Sequence, residues 1–572
     1  MYKQKYQQWV DSKILSQKEK EELLAIKDKE KDIEYFFGKD LEFGTAGMRG
    51  IIALGTNAMN IYTVRRATQG LADYIVSLGE NAKKRGVVIS YDTRNFSYEF
   101  AYNAAVVLVS NGIKTYLFKN VHPVPMLSFA VRQLKTKAGI MITASHNPKE
   151  YNGYKVYGED GAQMSPESTS KVVENISKIE DVLSQEIKFN EKLCKKIIYV
   201  GKHVDKKYYK AVIKLCLSHK EIKAVGKKIK IIYTPIHGSG YIPVTTVLKK
   251  LKIKAILVPE QTSPDVAFST VEVPNPEFKE TLTLGIKLAD FKGADVVFGT
   301  DPDCDRLGVS IRNEQGEFVA LSGNQTGILL LDYILTKLKQ DNKLNSKGFI
   351  VESFVSTSMA KLIAQDFSTE IFEVPVGFKY IGEKIKQLDD TGKRKFIFGF
   401  EESCGYLRGT HCRDKDAVVA SMLFAEMICY YTYHNKSIYA RLMELYAKYG
   451  YVYDKTVAIS YSGLNAMKDM NLAVDKMKTL TISEIGGIKV DAVRDYSSLI
   501  RKTANGEQQK IDSDSCNAIY FELENGGFIC LRPSGTEPKL KIYYSLRAEN
   551  KAQAEQLFEK VKLDFENIMK QQ

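Results

Sequence analysis

The 572 residues contain no run of about 18 apolar residues, the length a helix needs to cross a bilayer. The most apolar stretches, Ala104 to Val109 and Gly327 to Leu335, fall well short, and Asp332 interrupts the second. The first twenty residues alternate charge with hydrophobe and lack the apolar core of an export signal. A soluble, cytoplasmic chain with no membrane partner is therefore expected. Its eight cysteines form no C-x-x-C pair, and a chain this long needs no disulfide staples, so reduced thiols are expected. Nucleotide signatures are missing too. The Gly-Lys pairs beginning at 38, 201, 226 and 392 are never followed by Ser or Thr, which excludes a P-loop. Gly238-Ser239-Gly240 lacks the third glycine of a dinucleotide fingerprint.

Charge of one sign is in excess but not concentrated. Lys and Arg number 82 against 69 Asp and Glu, a net +13. Runs such as Lys83-Lys84-Arg85 and Lys227-Lys228 are broken by apolar and acidic residues, and no stripe of Arg alternates with aromatics. The excess reads as a solvated basic surface, with no nucleic-acid track.

What is present is α/β grammar in a chain long enough for three to five domains. A charged amphipathic helix is expected over Gln17 to Lys29 and a loop over Gly44 to Gly50. Strands are expected at Gly86 to Tyr91, Lys114 to Phe118 and Gly139 to Thr143, with a helix from Tyr98 to Asn111. The pattern restarts at Ile229 to Tyr233 and at Gly348 to Val351. Ahead of these restarts, Lys171 to Lys210 carries helical spacing with few strong hydrophobes, consistent with bridging helices. After Tyr451 come shorter strands, Ala518 to Leu523, Phe528 to Leu531 and Leu540 to Ser545, then a helix from Ala552 to Met569. A C-terminal α+β domain is expected there.

Four clusters carry chemistry, and all follow a strand-like run, where ligand crevices open in α/β sheets. Thr143-Ala144-Ser145-His146-Asn147-Pro148 places Ser145 at a strand exit, but Thr143 and Asn147 occupy the glycine positions of a hydrolase elbow and exclude that reading. Asp301-Pro302-Asp303-Cys304-Asp305-Arg306 follows the strand Ala294 to Phe298. Its three carboxylates share one face of an extended chain, and their repulsion calls for a cation. Oxygen ligands favour magnesium over zinc. An EF-hand is excluded because its sixth and twelfth positions are Arg306 and Arg312. A D-x-D-x-T/V aspartyl phosphotransferase motif is excluded because the fifth residue is Asp305 or Leu307. Arg532-Pro533-Ser534-Gly535-Thr536-Glu537-Pro538-Lys539 has the composition of a phosphate cradle: a guanidinium fork, two hydroxyls and a glycine backbone. In Gly399 to Gly405, Glu401, Glu402 and Ser403 suit vicinal sugar hydroxyls, with Lys379 and Arg413-Asp414-Lys415-Asp416 adding charge.

These four clusters, in this order and with Gly44 to Gly50 and Tyr151 to Lys155 beside them, resemble the α-D-phosphohexomutase superfamily over nearly the whole chain, and most of all its bacterial phosphoglucomutase, phosphoglucomutase-2-like branch. The resemblance implies a heart-shaped, four-domain architecture: three related α/β domains, 1–205, 206–318 and 319–450, and a C-terminal α+β domain, 451–572. It implies that Ser145 is a phosphoserine, that Ser145, Asp301, Asp303 and Asp305 hold one Mg2+, and that Lys155 and Lys415 take acid/base places, with His146 and Arg306 beside them. Arg49, Lys379, Glu401, Ser403, Arg413, Arg532, Ser534, Gly535 and Thr536 would bind substrate. The implied reaction interconverts glucose 1-phosphate and glucose 6-phosphate through glucose 1,6-bisphosphate in a monomer or homodimer. Phosphomannomutase, phosphopentomutase or bisphosphate synthase activity fits the same motifs, and a non-catalytic phosphosugar-binding protein would need only the Arg532 cradle. Cys404 and Thr410-His411-Cys412 match no assigned role.

Overall fold

Short runs that are buried on both faces, such as Val87–Tyr91 and Ala138–Ile142, are too short for helices and form the centre of parallel sheets. The computed structural model describes residues 2–44, 47–184, 191–462, 466–534 and 539–570. The chain divides into two compact units. One comprises Met1–Arg312, Phe318–Ala320 and Gly405–Tyr430, and the other Asn313–Glu317, Leu321–Cys404 and Tyr431–Gln572.

In the first unit a six-stranded sheet runs in the order Met48–Ile51, Tyr151–Gly158, Ala138–Ile142, Val87–Tyr91, Thr115–Phe118, Ile198–Val200. The last four are mutually parallel, and the first two add antiparallel partners. Helices Ile61–Ser77, Ser97–Ser110 and Pro166–Ser177 help enclose a core built on Val87, Ile89, Ile140 and Ile142. A second sheet places Leu307–Arg312, Val296–Thr300, Ile231–Thr234 and Ala255–Leu257 side by side. Val296–Thr300 and Leu307–Arg312 are antiparallel neighbours, so residues 301–306 form the connection between two buried strands.

In the second unit Gly348–Ser353 lies between Glu370–Val374 and Lys395–Glu401, all parallel, with helices Gly323–Gln340, Met359–Asp366 and Phe378–Leu388. The C-terminal sheet orders Tyr451–Ser460, Lys539–Ala548, Phe528–Pro533, Ile519–Leu523, Ile488–Asp495, Ile500–Thr503 and Gln508–Lys510, antiparallel throughout. Helices Ala466–Thr479 and Lys551–Lys570 bury Met470, Val474, Phe558 and Phe565 against it. The α/β class and the C-terminal α+β texture are as the sequence indicated.

Three expectations need correction. The segment read as a loop over 44–50 contains the strand Met48–Ile51, whose partner Tyr151–Gly158 lies a hundred residues away, with Arg49 opposite Gly153. Four residues are too few for a visible period, and the long-range ladder decides. Gly47, at φ +101°, enters it with no room for a side chain, since a Cβ would fall 2.0 Å from the Tyr154 carbonyl. Thr45 and Ala46 lie outside the described residues. The stretch read as bridging helices over 171–210 also contributes the edge strand Ile198–Val200. The helix Gln17–Leu24 is shorter than expected and carries a capping box from Ser16 and Glu19.

One buried group in the first unit makes stability depend on pH. Glu426, on helix Ala417–Tyr433, accepts the Leu217 N–H at 2.8 Å and the Ser218 N–H at 3.4 Å, and burial pushes its carboxyl up from 4.5 to about 6. A carboxyl raised on folding contributes its full stability below its unfolded value and loses it as pH rises through the folded one. From about pH 4 to 7.5 the native chain is expected to lose about 2 kcal/mol relative to Glu426→Gln. The difference between the two proteins' denaturant unfolding free energies across that range measures it.

Candidate active site

Ser145 sits just beyond Ala138–Ile142 with φ at 52°, a left-handed conformation rare for serine. Such a conformation costs about 1–3 kcal/mol and persists only when its surroundings enforce it. Here they do. Thr143 Oγ1 accepts the Ser145 N–H at 2.8 Å and itself donates to Asp92 Oδ2 at 2.6 Å. The Arg94 guanidinium, wholly buried, donates to the carbonyls of Ser145 at 2.7 Å, Pro148 at 2.8 Å and Tyr151 at 3.0 Å, and also to that of Asn147. Asp92 also accepts the Ser97 hydroxyl at 2.7 Å and the Arg94 N–H at 2.9 Å.

The serine hydroxyl so aimed donates to Asp301 Oδ2 at 2.9 Å and lies 3.2 Å from His146 Nδ1. Burial, then the charges of Arg306 and Arg49, holds His146 neutral, well below the ordinary imidazole range. Asp301, Asp303 and Asp305 are buried and each presents an oxygen within 4.8 Å of the others. Their loop is fixed by its backbone. Asp301 Oδ1 accepts the N–H groups of Asp305 and Arg306 at 3.0 and 2.9 Å, Val124 N–H reaches the Asp303 carbonyl at 2.9 Å, and Ser239 donates twice to that of Pro302 at 2.8 Å. Cys304, between the acids, also has positive φ, 51°.

Two of the three aspartates, Asp303 and Asp305, each have a lysine. Lys155 Nζ donates to Asp303 Oδ2 at 3.0 Å, and Lys415 Nζ lies 3.1 Å from Asp305 Oδ2 and 3.5 Å from Asp414 Oδ1. Burial, then Asp303 and Asp305, pushes Asp301 well above the usual carboxylate range. Burial also acts to raise Asp303, but the Lys155 ammonium prevails and holds it low. Three carboxylates thus face two ammonium groups, and Oδ1 of both Asp303 and Asp305 is buried without a hydrogen-bond partner. An all-oxygen set with orphaned, buried acceptors fits a hard divalent cation.

The other residues singled out in the first unit surround this core. Arg49 donates to Asn147 Oδ1 at 2.8 Å, and Arg306 pairs with Glu277 at 2.5 Å and approaches Asp305 at 3.9 Å. Arg413 is fully buried, with its guanidinium donating to the carbonyls of Thr410 at 2.6 Å and Cys412 at 3.1 Å, so it braces the loop that carries Lys415. In the second unit, Glu401 is buried and accepts the Gly377 N–H at 2.6 Å, while Ser403 follows in the next turn. Lys379 is lowered by burial and, more weakly, by the charge of Arg532, so the two cations share a neighbourhood. Ser534 donates its N–H to the Lys539 carbonyl at 2.9 Å. Gly535 and Thr536 lie outside the described residues. Sequence reasoning missed Asp92 and Arg94, although Asp92-Thr93-Arg94 directly follows the buried strand Val87–Tyr91, the placement that marked Ser145.

A serine aimed at an acidic cation site from a strand exit, on this succession of sheets, defines a phosphosugar-mutase type of enzyme. Family models for phosphoglucomutase/phosphomannomutase match residues 40–183 (alpha/beta/alpha domain I), 206–316 (domain II) and 322–449 (domain III), and the chain belongs to this family. Among curated relatives, the phosphoglucomutase of Staphylococcus haemolyticus is 37% identical over 539 residues, covering 94% of both chains. A putative phosphomannomutase from Thermus thermophilus has the same fold, at TM-score 0.67 and 21% identity, over 92% of this chain and 99% of that one. So has the open form of Paramecium parafusin, a phosphoglucomutase, at TM-score 0.66 and 17% identity over 92% and 95%.

Proposed function

We propose that this chain is a phosphoglucomutase that interconverts α-D-glucose 1-phosphate and glucose 6-phosphate through a phosphorylated Ser145 and a glucose 1,6-bisphosphate intermediate. The observation that carries the reading is Ser145 Oγ, held 2.9 Å from Asp301 inside a carboxylate triad whose other two members, Asp303 and Asp305, are each met by a lysine. Curated relatives at this identity are phosphoglucomutases.

Asp301, Asp303, Asp305 and a phosphoserine oxygen would hold Mg2+, which when bound neutralises charge on the transferring phosphoryl group. The chain's own residues align and move protons. A sugar hydroxyl attacks phosphorus, the bond from phosphorus to Ser145 Oγ breaks, and Lys155, an ammonium before and after, gives one proton to the leaving Ser145 Oγ and takes the attacking hydroxyl's proton in its place. Ser145 Oγ ends protonated, donating to Asp301 as it does here. The bisphosphate then turns and returns its other phosphoryl group by the reverse steps, with Lys415 as the second acid/base group and neutral His146 and Arg306 beside the reacting oxygen. Arg49 and Arg413 on the first unit's loops, Lys379, Arg532, Ser534, Gly535 and Thr536 for the non-reacting phosphate, and Glu401 and Ser403 for sugar hydroxyls complete the assignment. The domain division 1–205, 206–318, 319–450 and 451–572 belongs to the same reading.

Phosphopeptide mapping of the purified enzyme is expected to place one phosphate on Ser145, and kcat/KM is expected to favour glucose 1-phosphate over the mannose and ribose 1-phosphates. An acyl-phosphate on Asp303, or a clear pentose preference, overturns the reading. Asp303→Ala is expected to raise the magnesium concentration needed for half-maximal activity by more than the roughly 10–100-fold that losing an outer-shell partner costs, read from activity titrations at fixed substrate.

A further inference from the structure

The motif Thr410-His411-Cys412 has no part in the proposed phosphoryl transfer, yet in the first unit it builds a cluster of its own. His411 Nε2 lies 2.7 Å from Asp416 Oδ2, Cys412 Sγ lies 3.7 Å from that nitrogen, and the sulfur lies 3.8 Å from the same oxygen. All three atoms fall within 4.8 Å of one another. Cys412 and Asp416 are fully buried, and the His411 side chain is 7% exposed, so it is the member nearest solvent. The carboxylate is held rigidly from behind. Its Oδ1 accepts the N–H groups of Val418 and Val419 at 2.9 Å each, capping helix Ala417–Tyr433, and Tyr208 Oη lies 2.8 Å from both oxygens. His411 Nδ1 is buried with no hydrogen-bond partner, so in hydrogen-bonding terms only the contact inside the cluster orients the ring.

We propose that His411, Cys412 and Asp416 form a second cation site, for a soft or borderline divalent ion such as zinc and not for magnesium. One imidazole, one thiolate and one carboxylate are zinc's usual ligand types, whereas magnesium takes oxygen. The triangle closes at zinc's bond lengths: a point exists about 2.0 Å from Nε2 and Oδ2 and about 2.3 Å from Sγ. Only the edge from Nε2 to Oδ2 is short for a tetrahedral ion, by about 0.5 Å, and it lengthens as the ion replaces the hydrogen bond that spans it. The protons balance simply. The imidazole proton moves from Nε2 to Nδ1, the thiol loses its proton to solvent, and one metal–sulfur bond forms per proton released. The ion clamps both ends of the segment carrying Arg413, Asp414 and Lys415, so occupancy tightens the loop that presents Lys415 to Asp305. The aspartate triad has no sulfur among its three ligands and is distinguishable by that chemistry.

Cobalt(II), a spectroscopic substitute for zinc, tests this in the full-length enzyme saturated with magnesium. The expected result is one cobalt per chain with a thiolate-to-cobalt charge-transfer band in the near ultraviolet. Cys412→Ser and His411→Ala are expected to lose the charge-transfer band while circular dichroism shows them folded and magnesium-dependent turnover persists without cobalt. A wild-type enzyme with no thiolate band, or a band that survives Cys412→Ser, overturns the proposal. Should either variant fail to fold, X-ray absorption at the zinc edge of the wild-type enzyme loaded with one zinc decides. A first shell containing one sulfur supports the site, and an all-oxygen shell overturns it.

Discussion

Replacing Ser145 by alanine is expected to lower mutase kcat by at least about 10^4-fold while leaving the protein folded, because a nucleophile acting with its partners has no substitute. The geometry offers no bypass. Cys304, the nearest other nucleophile by sequence to the triad, is fully buried, and burial followed by the charge of Asp301 pushes its thiol far up. The substitution removes one hydroxyl, and Asp301 keeps its two backbone donors. The expected loss of stability is therefore only about 1 kcal/mol, the net worth of one hydrogen bond. The steady-state mutase rate and the phosphopeptide map are to be read together: loss of both assigns the carrier to Ser145, and a variant within tenfold of wild type places it elsewhere.

The same variant shows what kind of information the sequence held. Ser145 and Asp301, Asp303 and Asp305 were legible because each group is contiguous and follows a run of residues that only a buried strand explains. Their partners were not legible on the same grounds. Lys155 meets Asp303 across 148 residues, and Lys415 meets Asp305 across 110, pairings that the crossovers of two sheets create and that no local pattern encodes. The resemblance to a family supplied those lysines, and the structure supplies a physical reason: two ammonium groups offset three buried carboxylates. Arg413 carries the opposite lesson. The resemblance gives it a place at the substrate, and its guanidinium here donates to local groups, the carbonyls of Thr410 and Cys412. Met48–Ile51 and Ile198–Val200 were missed because edge strands of three or four residues acquire their identity from a partner ladder.

Arg94 was also unread, and its removal is expected to have the second-largest effect. Arg94→Met should lower kcat by about 10^2–10^3-fold with a smaller change in KM, since misplacing a reacting group by about 1 Å costs on the order of 10^2-fold. The reasoning rests on donor count. One guanidinium supplies the carbonyls of Ser145, Asn147, Pro148 and Tyr151, and it lies 3.5 Å from Asp92 and 5.1 Å from the Phe268 ring centre. Lysine carries three donors on a point charge and cannot span that planar array, so Arg94→Lys should fare little better than Met. Without the fork, the Thr143 hydrogen bond alone has to offset the left-handed strain at Ser145, and the serine relaxes away from Asp301. Asp92 is then left as an uncompensated buried charge, a loss of about 3–5 kcal/mol in unfolding free energy. Two readouts separate positioning from a general loss of structure. Adding Asp92→Asn to Arg94→Met should recover part of the stability without recovering kcat, because it removes the stranded charge but not the missing donors. Free guanidinium added to Arg94→Ala should recover part of kcat, because it refills the space with donors of the right shape. If the double variant regains turnover in step with its stability, Arg94 only holds the domain together, and the aim of Ser145 is set by Thr143 and Asp301 alone.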